Sequence, residues 1–164
     1  MSTRTLRRAG LDFGRLQEAV ESSSTIVSVE NADEHGEVKN GDVFHWRVVA
    51  NPPASSIYAG ATYAILFTLS PDEYPFKPPK VRVLTPIFNP MVSDVGGVCE
   101  ALLDNAEWKP TVPVVEVVEK VIVSVFVDFK KFDILNDVAA EMMTNKTPAE
   151  FKKEVDRVRT TAKS

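Results

Sequence analysis

The chain has 164 residues, of which 44% are hydrophobic and 26% are charged, a balance that is typical of one globular domain and excludes disordered, collagen-like and fibrous proteins. We therefore predict a single domain over residues 1–164. The net charge is -4, with basic residues near both ends and an acidic middle, which argues against nucleic-acid binding. No apolar run is long enough to span a membrane and no secretory signal is visible, so we expect a cytoplasmic or nuclear protein without membrane association.

The residues that most often bind metals are scarce. The chain contains one cysteine, Cys99, and two histidines, His35 and His45. This set excludes a disulfide within the chain, and it is too small for a cysteine-rich zinc site or a three-histidine site. We therefore expect no metal centre and no cofactor.

The first predicted element is an amphipathic helix over about residues 3–21, because apolar side chains recur every three or four positions from Leu6 to Val20. Four segments rich in β-branched and aromatic residues follow. They predict strands at 25–30, 43–50, 61–70 and 81–85. Short connections between successive strands favour an antiparallel meander.

Eight prolines interrupt residues 71–113. Proline removes a hydrogen-bond donor and restricts the residue before it, so little regular structure is expected there. An irregular segment of this length inside a compact domain is usually functional.

The C-terminal third predicts helices. Residues 112–127 are rich in valine, which favours a strand, but their polar residues recur on one helical face, so we predict a buried helix. A second helical pattern covers 133–143. The sequence TPAE at 147–150 then supplies an N-cap threonine, a proline at the first helical position and a glutamate that completes a capping box. The predicted fold class is α+β.

Cys99 is the strongest candidate nucleophile. A lone cysteine is more often a small buried apolar residue than a catalyst. Here it follows Gly96-Gly97-Val98 in the proline-rich segment, where glycines permit tight turns and the close approach of a partner's backbone. A cysteine peptidase would also need a base, and the candidate, His45, lies in a strand pattern that favours a histidine packed in the core.

Five short motifs combine aromatic residues, prolines and glycines in an unusual way. They are FHW (44–46), YPFKPPKV (74–81), PIFNPMV (86–92), GGVCEALL (96–103) and WKP (108–110). Together they resemble the core of the ubiquitin-conjugating enzyme family, and the resemblance extends from about Leu6 to Val158. It implies an N-terminal helix, a four-stranded antiparallel meander, a long active-site loop and C-terminal helices, in the order predicted above.

The resemblance implies a function for Cys99. It would accept ubiquitin or a ubiquitin-like modifier as a thioester from an activating enzyme, and would transfer it to a lysine of a protein substrate, usually with a ligase. A thioester suits this role because it keeps the acyl group reactive and releases a thiolate when an amine attacks. Gly96 and Gly97 would keep the approach open for the tail of the modifier.

The sequence departs from the family at one motif. The family usually carries His-Pro-Asn about ten residues before the cysteine, and this chain has Asn89, Pro90 and Met91 there. Methionine donates no hydrogen bond, so we expect lysine transfer to be impaired more than thioester formation. Asn89 is an alternative donor if the loop is rearranged.

The family often places an acidic residue facing the cysteine, where it orients and deprotonates the incoming lysine. An ungapped count from Trp108 reaches Phe132, and a shift of one residue would bring Asp133 into this role. The alternative for Asp133 is an N-cap of the helix predicted at 133–143.

Activating enzymes and ligases engage this family through the first helix and two loop tips. By resemblance, the corresponding residues are Arg7 and Arg8, Pro75 and Phe76, and Pro110 and Thr111. Phe76 could anchor such an interface, or it could pack inside its own loop.

Two functions therefore remain open. The first is a conjugating enzyme, which Cys99 favours. The second is a non-catalytic module of the same fold that holds a modifier or pairs with an active conjugating enzyme, which Met91 favours.

Overall fold

The four predicted strands form one antiparallel sheet, in a computed structural model that describes residues 3–99, 102–103, 108–129 and 133–161. The strands are β1 (Ile26–Asn31), β2 (His45–Ala50), β3 (Tyr63–Thr68) and β4 (Lys80–Val83). Each strand pairs with the next one along the chain, so the predicted meander is confirmed.

Helices lie before and after the sheet in the sequence. They are α1 (Thr3–Ala19), α2 (Val114–Phe126), α3 (Asp137–Asn145) and α4 (Pro148–Thr161). The order of elements confirms the α+β class. No helix in the described part of the chain is long and apolar enough to cross a membrane.

The valine-rich segment forms α2, as its polar spacing predicted. Its buried side chains recur at helical intervals and join the central apolar cluster, whereas Glu116 and Lys120 are exposed and lie 3.9 Å apart as an ion pair. The rings of Tyr63 in β3 and Phe126 in α2 lie 5.1 Å apart. Burial of one continuous stripe outweighs the modest intrinsic preference of valine for strands.

The buried face of α1 differs from the predicted one. Thr5, Ala9, Asp12 and Leu16 are buried, whereas Leu6 is 45% exposed. The prediction took only the apolar positions of α1 as its buried face. Asp12 instead occupies the helix face that packs against β1 and α2, and its side chain has no exposed surface.

The predicted start of the helix at 133–143 is wrong. The helix begins at Asp137, because the Asn136 side chain accepts a hydrogen bond of 3.1 Å from the backbone N–H of Ala139. Asp133 is therefore not the N-cap. The capping box of α4 is confirmed by reciprocal backbone-to-side-chain bonds between Thr147 and Glu150, of 3.3 and 3.2 Å.

Candidate active site

A short hairpin leads directly into Cys99. The backbone N–H of Ser93 donates to the carbonyl of Gly97 at 2.9 Å, and the Ser93 hydroxyl accepts from the N–H of Gly97 at 3.0 Å. The same hairpin bonds to β4, because the N–H of Val83 donates to the carbonyl of Gly96 at 2.8 Å. The chain therefore reaches Cys99 from a segment whose position is fixed by the sheet.

Gly96 does not keep space open for a partner, contrary to the expectation. It is buried, and a β-carbon at this position would lie 2.0 Å from the carbonyl oxygen of Val83. A β-carbon on Gly97 would lie 3.0 Å from the Ser93 hydroxyl. These glycines allow close contact within the protein itself, and the hairpin could not rest on β4 with a larger residue at Gly96.

Replacing Gly96 with alanine is expected to destabilise the protein more than the same change at Gly41. Both glycines have positive φ angles, 84° and 86°, but a β-carbon at Gly41 would have nothing within 4 Å. The shared backbone strain costs about 1–2 kcal/mol. Only the change at Gly96 adds a collision with Val83. Urea unfolding of both variants measures the difference, and equal losses would show that the close approach contributes nothing.

Cys99 and Asp133 lie side by side. The Cys99 thiol donates to the Asp133 carboxylate over an Sγ–Oδ2 distance of 3.5 Å. Cys99 is half-buried and Asp133 is exposed, so both can be reached from solvent. The carbonyl of Cys99 accepts from the N–H of Leu102 at 3.0 Å, and Leu102 is buried, which anchors the chain after the cysteine. Phe132, which the ungapped count reached, lies outside the described residues.

The segment that carries Asp133 is held by the loop before Cys99. The backbone N–H groups of Leu135 and Asn136 both donate to the carbonyl of Pro90, at 2.8 and 3.0 Å. Two segments far apart in sequence are thereby joined at one oxygen atom. This contact sets the position of the Asp133 carboxylate relative to the cysteine.

Asn89 is buried and its amide is used inside the protein. Its Nδ2 donates to the carbonyl of Val125 at 2.8 Å, and its Oδ1 accepts from the N–H of Met91 at 2.9 Å. Val125 belongs to the last turn of α2, whose carbonyls have no partner within the helix. These contacts favour a structural role for Asn89 over the donor role that the sequence suggested.

Met91 has no exposed surface and belongs to the central apolar cluster. Its side chain therefore fills space in the core and presents nothing to a ligand. An asparagine at this position would bring an amide into apolar surroundings, where a polar group without a partner costs about 1–3 kcal/mol. Met91 therefore offers no hydrogen-bond donor to a reacting group.

The six residues predicted to contact partners come from three segments that the structure brings together. Arg8 Nη2 donates to the carbonyl of Pro110 at 2.5 Å, and Trp108 Nε1 donates to the carbonyl of Pro75 at 2.9 Å. Phe76 is 80% exposed, so the alternative of a ring packed inside its loop is wrong.

The other predicted contact residues differ in how much surface they present. Arg7 and Thr111 are exposed, and Pro75 and Pro110 are half-buried. Arg8 is largely committed to contacts within the protein, with a side chain only 26% exposed.

His45 and Cys99 share no hydrogen bond in the described part of the chain. The ring of His45 lies at the start of β2, only 19% exposed, with Nδ1 3.1 Å from the Asp42 carboxylate. The ring is thus largely packed, as expected, and it does not supply the base that a cysteine peptidase requires. Within the described residues, no three His, Cys, Asp or Glu side chains gather in a way that could hold a metal ion.

Two supporting residues were not found from the sequence. Ser93 shapes the hairpin before Cys99, and Asp12 bonds to the segments near Phe76. A signal for Asp12 was present: it has an arginine four positions before it and another three positions after it, a spacing at which opposite charges meet on a helix. Ser93 lies close before a glycine pair, as serine often does in tight turns.

Comparison with known proteins assigns the family. Residues 15–159 match the sequence profile of ubiquitin-conjugating enzymes, so the chain belongs to this family. Members act in general with ubiquitin-like modifiers, activating enzymes and ligases, and the family inferred from the sequence is confirmed.

Solved structures share the fold over nearly the whole chain. A Trypanosoma cruzi protein provisionally assigned as a ubiquitin conjugating enzyme is 25% identical, with a TM-score of 0.73 and coverage of 95% of this chain and 97% of that chain. The E2 domain of a Toxoplasma gondii ubiquitin conjugating enzyme is 21% identical, with a TM-score of 0.67 and coverage of 93% and 97%. A Plasmodium yoelii protein, also provisionally assigned as a ubiquitin conjugating enzyme, is 20% identical, with a TM-score of 0.70 and coverage of 98% and 96%.

Proposed function

We propose that this protein carries ubiquitin or a ubiquitin-like modifier as a thioester on Cys99 and transfers it to a lysine of a protein substrate. The observation that carries the proposal is the accessible Cys99 thiol, 3.5 Å from the Asp133 carboxylate, in a chain that belongs to this family. A reduced thiol is required, which suits the cytoplasm or the nucleus. Neither a metal nor a cofactor takes part in the proposed steps.

The first step is an exchange of thioesters. The Cys99 thiolate attacks the carbonyl carbon that links the modifier to a cysteine of the activating enzyme. A new carbon–sulfur bond forms at Cys99, and the activating enzyme's cysteine leaves as a thiolate. Because a thiolate both attacks and departs, this step needs a good nucleophile more than it needs stabilisation of a strongly basic leaving group.

The second step is attack by an amine. A lysine amine attacks the thioester carbonyl, an isopeptide bond forms, and Cys99 departs as a thiolate. The exposed Asp133 carboxylate would attract the lysine ammonium and accept a proton from it, since the carboxylate lies beside the sulfur atom at which the reaction occurs.

Substitutions at Cys99 test the first step directly. Cys99→Ser is expected to trap the modifier as a more stable oxyester that resists thiols, and Cys99→Ala is expected to form no adduct. The protein would be mixed with an activating enzyme, its modifier and ATP, and examined on gels with and without reducing agent. Ubiquitin is tried first, followed by other modifiers with their own activating enzymes. Normal loading of the alanine variant would reject the proposal.

Asp133→Asn tests the second step. It is expected to slow discharge of the thioester to free lysine by about tenfold or more, because a positioned base contributes about 10²–10⁴-fold. Loading should change far less. The difference in discharge rate between variant and wild type should become smaller as the pH approaches the lysine pKa of about 10.4, since an amine that is already neutral needs no base.

Asp94→Asn is the matched control for this measurement, because Asp94 is an exposed carboxylate in the hairpin before Cys99. Single-turnover discharge would be followed for both variants. Equal slowing in the two would assign the effect to loss of surface charge and would contradict the role proposed for Asp133.

Phe76→Ala is expected to weaken ligase-stimulated discharge by about tenfold while changing the free energy of unfolding by less than about 0.5 kcal/mol, because an exposed aromatic side chain contributes to a partner interface more than to the core. Val38→Ala, in the turn between β1 and β2, is a control in which a 53% exposed apolar side chain is removed elsewhere. Unchanged stimulation of a folded Phe76→Ala protein would contradict the role.

The second candidate function is a module that holds a modifier but transfers it poorly. The burial of Asn89 and Met91 favours it, because neither residue of the altered motif presents a free donor where the oxyanion would form. Rapid loading with slow discharge would support this function. Loading and discharge that are both rapid would support the enzyme.

A further inference from the structure

A buried carboxylate lies beneath the predicted partner surface. The Asp12 side chain has no exposed surface, because it lies on the same buried face of α1 as Ala9 and Leu16. Removing a charged group from water is costly unless partners compensate it. The contacts of Asp12 therefore indicate what this residue does.

Asp12 joins α1 to the first loop. Its Oδ2 accepts from Arg8 Nε at 2.8 Å and from the Tyr74 hydroxyl at 2.5 Å. Burial, together with the hydrogen bond to Asp12, raises the pKa of Tyr74, so the phenol stays protonated and remains a donor at neutral pH. Arg15 approaches Oδ1 to 3.6 Å but makes no hydrogen bond with it.

The contacts continue into the second loop and return to α1. The rings of Tyr74 and Trp108 have centroids 5.7 Å apart, and Trp108 Nε1 donates to the carbonyl of Pro75. Arg8 donates both to Asp12 and to the carbonyl of Pro110. The three segments thus form a closed ring of contacts, in which each one is held by the other two.

We propose that Asp12 is a positioning residue that locks α1, the turn at 74–77 and the turn at 108–112 into one rigid recognition surface for the activating enzyme and the ligase. The proposal rests on the proposed function and adds a residue that itself touches no partner. A surface that is already ordered loses less conformational entropy on binding, so its affinity is higher for the same contacts.

The incomplete pairing of Asp12 argues that stability is not its main role. Oδ1 is buried without a hydrogen bond. An apolar residue in such a position often gives equal or greater stability than a buried ion pair. What an apolar residue would lose is the geometry, since it has no oxygen that could accept from Arg8 and Tyr74 together.

Hydrogen exchange tests the coupling without any partner. In the first turn, the N–H groups of Phe76 and Lys77 donate to the carbonyl of Glu73 at 2.8 and 3.1 Å, and in the second the N–H of Val112 donates to the carbonyl of Lys109 at 3.0 Å. Tyr74→Phe removes only the hydroxyl that reaches Asp12. Protection should fall in both turns together, by about fivefold, as expected for one hydrogen bond.

Tyr58→Phe is the matched control. Tyr58 is fully buried, and its hydroxyl donates to the carbonyl of Phe88 at 2.6 Å. The control loses a buried hydroxyl contact of similar kind, so it corrects for any fall in overall stability. In Tyr58→Phe, hydrogen-exchange protection of the two turns should fall by no more than the fall in the free energy of global unfolding.

Kinetics of loading test the recognition role. In Tyr74→Phe and Asp12→Leu, KM for the activating enzyme charged with ubiquitin, or with whichever modifier loads the wild type, should rise by about fivefold with kcat changed less than twofold. A residue that only stabilised the fold would not raise KM once the variants are shown to be folded. The KM of Tyr58→Phe should equal that of the wild type.

Each outcome decides the proposal. Loosening of both turns together with a higher KM supports it. Loosening of the first turn alone, or of neither, overturns the coupling, and an unchanged KM overturns the recognition role. If the wild type accepts no modifier, the proposed function fails and the recognition role fails with it, whereas the exchange data still decide whether Asp12 couples the two turns.

Discussion

The hydrogen bond from the Asn89 side chain to the carbonyl of Val125 connects the loop before Cys99 to the end of α2. That end is buried, so its carbonyls need donors from elsewhere in the chain. Asn89 supplies one and also holds the backbone of Met91. Met91 lies in the core, and the carbonyl of Pro90 next to it accepts hydrogen bonds from the segment that carries Asp133. The position of the carboxylate beside the cysteine thus depends on a residue that does not touch either group.

Prolines shape both of the functional regions, and donors from distant segments fix them. The carbonyl of Pro75 accepts from Trp108, the carbonyl of Pro110 accepts from Arg8, and the carbonyl of Pro90 accepts from two backbone N–H groups of the segment after α2. A proline has no N–H group of its own, so proline-rich segments cannot satisfy their carbonyls by regular pairing. Their order comes from these long-range bonds, which explains how an irregular stretch can hold reactive and binding groups in place.

Much of the fold could be predicted from the sequence because the spacing of apolar and polar residues indicates which face of a helix or strand is buried. The polar spacing in α2 and the capping box at Thr147 both have direct local causes, and both predictions are confirmed. The start of α3 was missed because Asp133 and Asn136 are both good N-caps, and only the contact of the second with Pro90 decides between them. Asp12 was missed for a different reason: hydropathy patterns treat a carboxylate as a surface group, and its partner Tyr74 lies in another segment. The family motifs drew attention to Cys99. Its distance to Asp133 could not be predicted, because it depends on how two segments far apart in the sequence pack together.

The hairpin before Cys99 also has a consequence for the sheet. In a meander, the last strand presents a row of unpaired backbone groups along its outer side, and such a row is a template for pairing with another chain. Here the outer side of β4 is occupied by Gly96 and Gly97, through the bond to Val83 and the bridge to Arg82. The segment that leads to the cysteine therefore also shields part of this edge from strand addition. Substitutions that loosen it would expose backbone groups of β4 that can pair with another chain, so self-association would accompany displacement of Cys99.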